Sequence, residues 1–234
     1  MTKVNQAIHT GLEVLRQELN PKHPEFEASV IECLTQYLAL LSEWNPKVDL
    51  VAPNTTSYWI EHHLLDSAAA GIILEREFGT AASVLDIGSG AGLPGLIIAI
   101  LNPKRRVILV EPRAKRVSFL KEARRVLALA QLEVVEKRLE DLGQEFRGID
   151  LAIHRALKLD QSALKALKEI LVPSGKLLSM ESETQASPVD APVVTSLVAK
   201  TTHVYTLPSG IRRRISVQQR MSPTSSDTGF CKNL

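Results

Sequence analysis

The sequence predicts an α/β fold: a mostly parallel sheet flanked by helices, with a helical N-terminal extension and an antiparallel C-terminal edge hairpin. Three observations carry this. From residue 83 onward, short apolar runs alternate with helical patterns, which builds a parallel sheet with right-handed crossovers. Ser83 to Gly95 reads Ser-Val-Leu-Asp-Ile-Gly-Ser-Gly-Ala-Gly-Leu-Pro-Gly, a buried strand, a glycine turn and a helix start. Before them, residues 1–78 carry helical spacings.

Taken in order, residues 1–20 read as a helix, with Ile8, Leu12, Leu15 and Leu19 three or four apart, interrupted by Pro21 and Pro24. A second helix fits Glu25 to Trp44, where Val30, Cys33, Leu34, Tyr37, Leu38, Leu41 and Trp44 form one apolar stripe. Asn45-Pro46 is expected to end it, because the proline ring restricts the residue before it and removes a donor. Asp49 to Thr56 reads as a loop, and Ile60 to Leu74 as a helix that places His62 beside Asp66 and His63 beside Ser67. One carboxylate and no nearby cysteine make a poor ligand set for the histidine pair, so no metal site is expected. Strands fit 83–87, 106–111, 132–137, 149–154 and 175–180, with helices over 93–102, 113–130 and 160–171. Pro188 and Pro192 mark a loop, and Val204 to Leu207 pairs with Ile211 to Val217 around Pro208-Ser209-Gly210 as the edge hairpin. Residues 1–78 form a helical extension packed on the core, 79–221 the α/β domain, and 222–234 a loose polar tail.

The composition is that of an ordinary globular chain, with 44% apolar and 23% charged residues. No apolar stretch approaches the roughly 20 residues that span a bilayer, and the N-terminus lacks a signal-peptide core. Cys33 and Cys231 lack metal-ligand spacing, which predicts reduced thiols in a cytoplasmic protein. The net charge of +2 hides an asymmetry. Residues 1–78 hold five Lys/Arg against eleven Asp/Glu, whereas residues 104–138 hold eleven Lys/Arg against four Glu. A basic second half suits a polyanionic partner, and a solvated helix face is the plainer alternative.

The glycine loop can be read in two registers. Gly90 to Gly95 matches Gly-x-Gly-x-x-Gly, and Glu111 follows Gly90 by twenty-one residues, close to a dinucleotide fingerprint. In that register the first glycine follows Ile87 by three residues, where a dinucleotide loop turns directly off its strand. The other register starts at Asp86. An acid at a strand end followed by alternate glycines suits a ligand with a cationic amino-acid end and no phosphate, such as S-adenosylmethionine. Asp86 would then lie near the ammonium or sulfonium region. Gly88 and Gly90 would admit the methionine and ribose, Glu111 would accept from the ribose hydroxyls, and Leu139 and Glu140 would lie at the adenine. Three acids or polar groups at three successive strand ends favour the second register.

At this point the chain resembles a known family, the bacterial small-subunit ribosomal RNA guanine-N7 methyltransferase G (RsmG, also called GidB). The resemblance rests on Trp44-Asn45, His63-Leu64-Leu65-Asp66-Ser67, Asp86 through Gly95, Lys115-Arg116, Arg138-Leu139-Glu140 and Arg155-Ala156, and it runs over nearly the whole chain. It implies a Rossmann-like class I methyltransferase sheet and a cytoplasmic enzyme that methylates guanine N7 in 16S ribosomal RNA. Gly88, Leu93, Leu139, Glu140 and Arg155 would be its cofactor-binding positions. The chain departs from the family pattern in several places. Asp49-Leu50-Val51 stands for Asn-Leu-Thr, His62-His63 for Arg-His, His154-Arg155-Ala156 for Ser-Arg-Ala, and Glu181-Ser182 for Lys-Gly.

Guanine N7 offers a lone pair and no proton, so its attack on a methyl sulfonium needs no general base, only alignment and exclusion of water. No catalytic residue is assigned beyond Arg155 as a positioning residue, whose alternative role is a salt bridge to an acid of the N-terminal helices. Lys121, Arg124 and Arg125 on one helix, with Arg212, Arg213 and Arg214 at the hairpin, are the expected phosphate contacts of 16S ribosomal RNA or the small ribosomal subunit. The protein is expected to act as a monomer, without metal and away from membranes. Two alternatives remain: a methyltransferase acting on a small molecule or protein, and a non-catalytic RNA-binding module with a vestigial cofactor pocket.

Overall fold

The computed structural model describes residues 2–52, 55–182 and 197–220. Pro188, Pro192, Cys231 and the tail from Ser222 lie outside them. Helices α1 (Lys3–Leu19), α2 (Ala28–Val48), α3 (Thr56–Trp59) and α4 (Asp66–Phe78) come first. Five strands follow with their crossovers: β1 (Val84–Ile87), α5 (Gly95–Leu101), β2 (Val107–Val110), α6 (Ala114–Val126), β3 (Leu132–Val135), β4 (Ile149–Arg155), α7 (Gln161–Ile170) and β5 (Leu171–Ser182). The hairpin β6 (Leu197–Thr206) and β7 (Arg212–Arg220) closes the described chain. Among the described residues, no helix is long and apolar enough to cross a membrane.

The sheet runs in the order β3-β2-β1-β4-β5-β7-β6. Strands β1 to β5 are parallel, and β7 enters antiparallel between β5 and β6. The chain leaves β1 towards β2 on one side and reaches β4 on the other, so the carboxyl ends of β1 and β4 flank the crevice where ligands bind in such sheets. Burial follows the alternation of a strand covered on both faces. Leu85, Ile108 and Ala152 pack under α7 with Leu167 and Ile170. Val84, Val107 and Leu151 join the larger cluster, which also takes in Leu12, Leu34 and Leu41 of α1 and α2 and Ile72 of α4. The N-terminal helices therefore share one continuous core with the sheet.

Several boundaries differ from the sequence expectation, and strand β5 starts at Leu171 rather than 175. Helix α2 runs through Pro46 to Val48 and stops at left-handed Asp49. Proline removes one donor near the end of the helix, and the Asn45 side chain then takes over, its Oδ1 accepting from Leu50 N and Val51 N, both at 2.9 Å. The segment expected to be a helix over Ile60 to Leu74 begins earlier, ends later and contains a π-helical turn at Ile60–Leu65. Helix α6 stops at Val126 rather than 130, because the chain must turn through left-handed Ala128 to enter β3. Strand β6 also begins before Val204, and the hairpin forms the antiparallel edge of the sheet with β6 outermost.

Candidate active site

The ends of β1, β2 and β4, with the segments that follow them and β3, enclose one cavity of about 630 Å³, a usual size for a small-molecule site. The glycine turn forms its floor. Gly88 N donates to Val110 O at 2.8 Å, which ties the turn to the end of β2. Gly90 N donates to Glu111 Oε2 at 2.9 Å, and Arg113 N to Glu111 Oε1 at 3.0 Å. Gly90 and Gly92 hold φ of +57° and +84°, a region that side chains disfavour. The phenol of buried Tyr37 in α2 donates to Ala91 O at 3.0 Å, so the helical extension directly braces the loop.

Gly88, Gly90, Leu93, Glu111, Leu139, Glu140 and Arg155 all line this cavity. Asp86 is not among the lining residues. Its side chain is fully buried beneath the turn, where Oδ2 accepts from Gly95 N at 3.0 Å at the start of α5. It orders the loop from below. Burial pushes its carboxyl up to about 7, against the Gly95 amide, which favours the charged form. The folded state therefore holds this proton more tightly than the unfolded chain, and Asp86 costs stability increasingly as the pH rises from about 4 to about 7.

Arg155, at the end of β4, joins cavity wall to extension. Its Nη2 donates to His62 O at 2.6 Å and lies 3.2 Å from His63 Nδ1. Its Nε lies 3.3 Å from Asp66 Oδ2. Asp66 is a hub at the start of α4, only 3% exposed. Tyr205 OH of β6 donates to its Oδ1 at 2.6 Å, and Arg213 Nε of β7 stands 3.7 Å away. Burial and the neighbouring carboxylate push the Tyr205 phenol well above its usual range, so it stays a donor. Among the described residues no His62–Asp66 pair is found; the turn at His62 is π-helical, and Arg155, Tyr205 and Arg213 surround the carboxylate. His63 lines the cavity, and burial together with Arg155 lowers its pKa to about 4, so it is a neutral imidazole near pH 7.

The expected RNA-contacting residues divide. Lys121, Arg124 and Arg125 are exposed on α6, with Arg125 held by Glu122 at 2.7 Å. Arg124 sits about 12 Å along the helix from Arg116, towards the end away from the cavity. Arg212 is exposed, but Arg213 turns inward to Asp66. Arg214 Nε meets Glu181 Oε2 at 2.7 Å, where Glu181 and Arg214 are register partners on β5 and β7. Arg213 and Arg214 are thus both paired with acids within the fold, and the acid at 181 is paired with its cross-strand neighbour. His154 is likewise accommodated, with Nε2 2.7 Å from Ser179 Oγ on β5. The cavity is also lined by Arg113, Arg116, Lys137, Arg138 and Lys158, of which only Arg116 and Arg138 stood out in the sequence, as marks of the resemblance and not as phosphate contacts. Their signal was position, since each lies a few residues beyond a strand end.

A glycine turn between β1 and α5, acids at the ends of β1 and β2, and antiparallel β7 beside β5 define the class of S-adenosylmethionine-dependent methyltransferase folds. Solved structures agree on the fold. The 1,6-didemethyltoxoflavin-N1-methyltransferase of Burkholderia thailandensis, determined with 1,6-didemethyltoxoflavin and S-adenosylhomocysteine, superposes with a TM-score of 0.55 at 15% identity, covering 85% of this chain and 93% of that one. A methyltransferase from Geobacter sulfurreducens gives 0.55 at 12% identity, covering 90% and 96%. Residues 30–212 match the family described as GidB, rRNA small subunit methyltransferase G. The chain belongs to this family. Proteins named ribosomal RNA small subunit methyltransferase G from Albidiferax ferrireducens and Wolinella succinogenes are 32% and 36% identical. The first match covers 87% of this chain and 92% of the relative, the second 72% and 84%.

Proposed function

We propose that this protein transfers the methyl group of S-adenosylmethionine to N7 of a guanine in 16S ribosomal RNA, acting as a cytoplasmic monomer on the RNA or the small ribosomal subunit. The observation that carries this is the cavity itself. It combines a glycine floor, an acid at the ribose position and a cationic rim, in a chain of this family. The bound methyl donor supplies an electrophilic carbon on a sulfonium. Gly88, Gly90 and Leu93 line the methionine and ribose side, Glu111 stands ready to accept from ribose hydroxyls, and Leu139 with Glu140 provides one apolar and one polar contact for adenine. Asp86 takes part only by holding the loop.

The nucleophile needs no base, so the protein's work is alignment, dehydration and charge. Arg155, fixed by Asp66 and the His62 carbonyl, is a positioning residue at the cavity wall. Positive charge moves from sulfur to the purine during transfer, and the neutral His63 adds none beside it. Arg113, Arg116, Lys137, Arg138 and Lys158 offer the phosphate contacts, supplemented by the more distant Lys121, Arg124 and Arg125. Titration calorimetry separates this reading from the dinucleotide one. S-adenosylmethionine should bind at one site per chain while NAD gives no heat. Binding of NAD in preference to the methyl donor would overturn it.

A further inference from the structure

Tyr58, His62 and His63 form an aromatic chain running outward from the cavity, and the function described so far uses only the last of them. The π turn at Ile60–Leu65 follows directly on α3, and π turns recur at functional sites. The Tyr58 and His62 rings stack at 4.0 Å with planes 27° apart, and His63 meets Tyr58 edge-on at 5.7 Å. His63 stands in the cavity wall, whereas Tyr58 is 37% exposed. Arg155 Nη2 contacts both His62 O and His63 Nδ1, which ties this turn to the cavity wall. In a chain with 4% aromatic residues, an exposed tyrosine stacked on a half-buried histidine beside the active cavity is not explained by core packing.

The rim chemistry says what the pair would take. Arg113, Arg116, Lys137 and Lys158 attract a phosphate backbone but do not read bases. Unpaired RNA bases are held by stacking on rings such as those of tyrosine and histidine. The reacting guanine must enter the cavity beside His63. A ring one step further out, beyond His63, is then placed for the adjoining nucleotide.

We propose that the Tyr58–His62 pair is a stacking platform for a nucleobase flanking the reacting guanine. This rests on the RNA methyltransferase reading above. The platform fixes the strand so that the guanine enters with N7 facing the donor, and Tyr58 is a positioning residue for substrate.

The test compares Tyr58→Leu, which keeps apolar bulk and loses the ring, with Tyr58→Phe, which keeps the ring. Methyl transfer to 16S RNA and to small subunits lacking the modification is measured, with donor affinity as control. Tyr58→Leu should raise KM for RNA about tenfold while donor affinity and melting temperature stay at wild-type values, and Tyr58→Phe should restore KM. An unchanged KM in Tyr58→Leu, or a Tyr58→Phe variant as impaired as Tyr58→Leu, would overturn the proposal. If the wild-type protein transfers no methyl group, the functional reading fails by itself. Direct binding of 16S RNA to wild type and Tyr58→Leu then decides the platform on the same criterion, a loss of about tenfold.

Discussion

Asp66→Ala is expected to be the most damaging single side-chain truncation outside the glycine loop. It leaves Arg155 and Arg213 without their shared carboxylate and the buried Tyr205 hydroxyl without its acceptor. Breaking a buried ion pair by removing one partner costs about 3–5 kcal/mol, and the lower figure applies because both arginines keep some water contact. For a chain of this size that is a fall of roughly 10 °C in melting temperature. Two further effects should accompany it. Arg155 loses its charged anchor and keeps only the His62 carbonyl and His63 ring, so methyl transfer should drop even at temperatures where the variant is folded. Asp66→Asn, which keeps an acceptor for Tyr205, should lose less stability than Asp66→Ala. Thermal unfolding followed by circular dichroism measures all three proteins. A melting temperature for Asp66→Ala within about 2 °C of wild type would show that the hub does not tie the extension to the hairpin.

Gly95→Ala should abolish tight donor binding while leaving the chain folded. A Cβ at this position would stand 2.5 Å from Leu109 Cδ2 and 2.7 Å from both Cβ and Oδ2 of Asp86; the Asp86 Cβ is fixed to the strand backbone and cannot swing away. Overpacking of this kind costs about 1–3 kcal/mol. Asp86 and Leu109 lie in the central strands β1 and β2, so the clash should be relieved by a shift of the turn. That shift moves Gly88, Gly90 and Leu93 together. Calorimetry should find donor affinity reduced at least about tenfold, equivalent to about 1.4 kcal/mol. Wild-type affinity in a folded Gly95→Ala protein would mean that the Asp86–Gly95 contact does not set the shape of the floor.

The sheet and its glycine turn were legible in the sequence because both are local. A strand ending in Asp86-Ile87, glycines at alternate positions and acids at later strand ends follow one another along the chain. What could not be read is what distant segments do to one another. Asp66 was visible as an acid on a helix, but its partners Arg155, Tyr205 and Arg213 lie up to 147 residues away. Arg213 and Arg214 looked like a basic patch, yet strand alternation sends one to Asp66 and the other to Glu181. Asp86 carried the right residue type at the right strand end, and only the packing of α5 against β1 shows that its carboxylate faces the helix start. The π turn has no composition signal of its own, so the His62–Asp66 spacing was read as an ordinary helical pair.

The measurement that bears most directly on the account is methyl transfer from labelled S-adenosylmethionine to 16S RNA, naked and within small subunits that lack the modification, with the product hydrolysed and its nucleosides separated. Label is expected in N7-methylguanosine of 16S RNA, in at least one of the two substrate forms. Tight donor binding with no label in either form would contradict the proposed function.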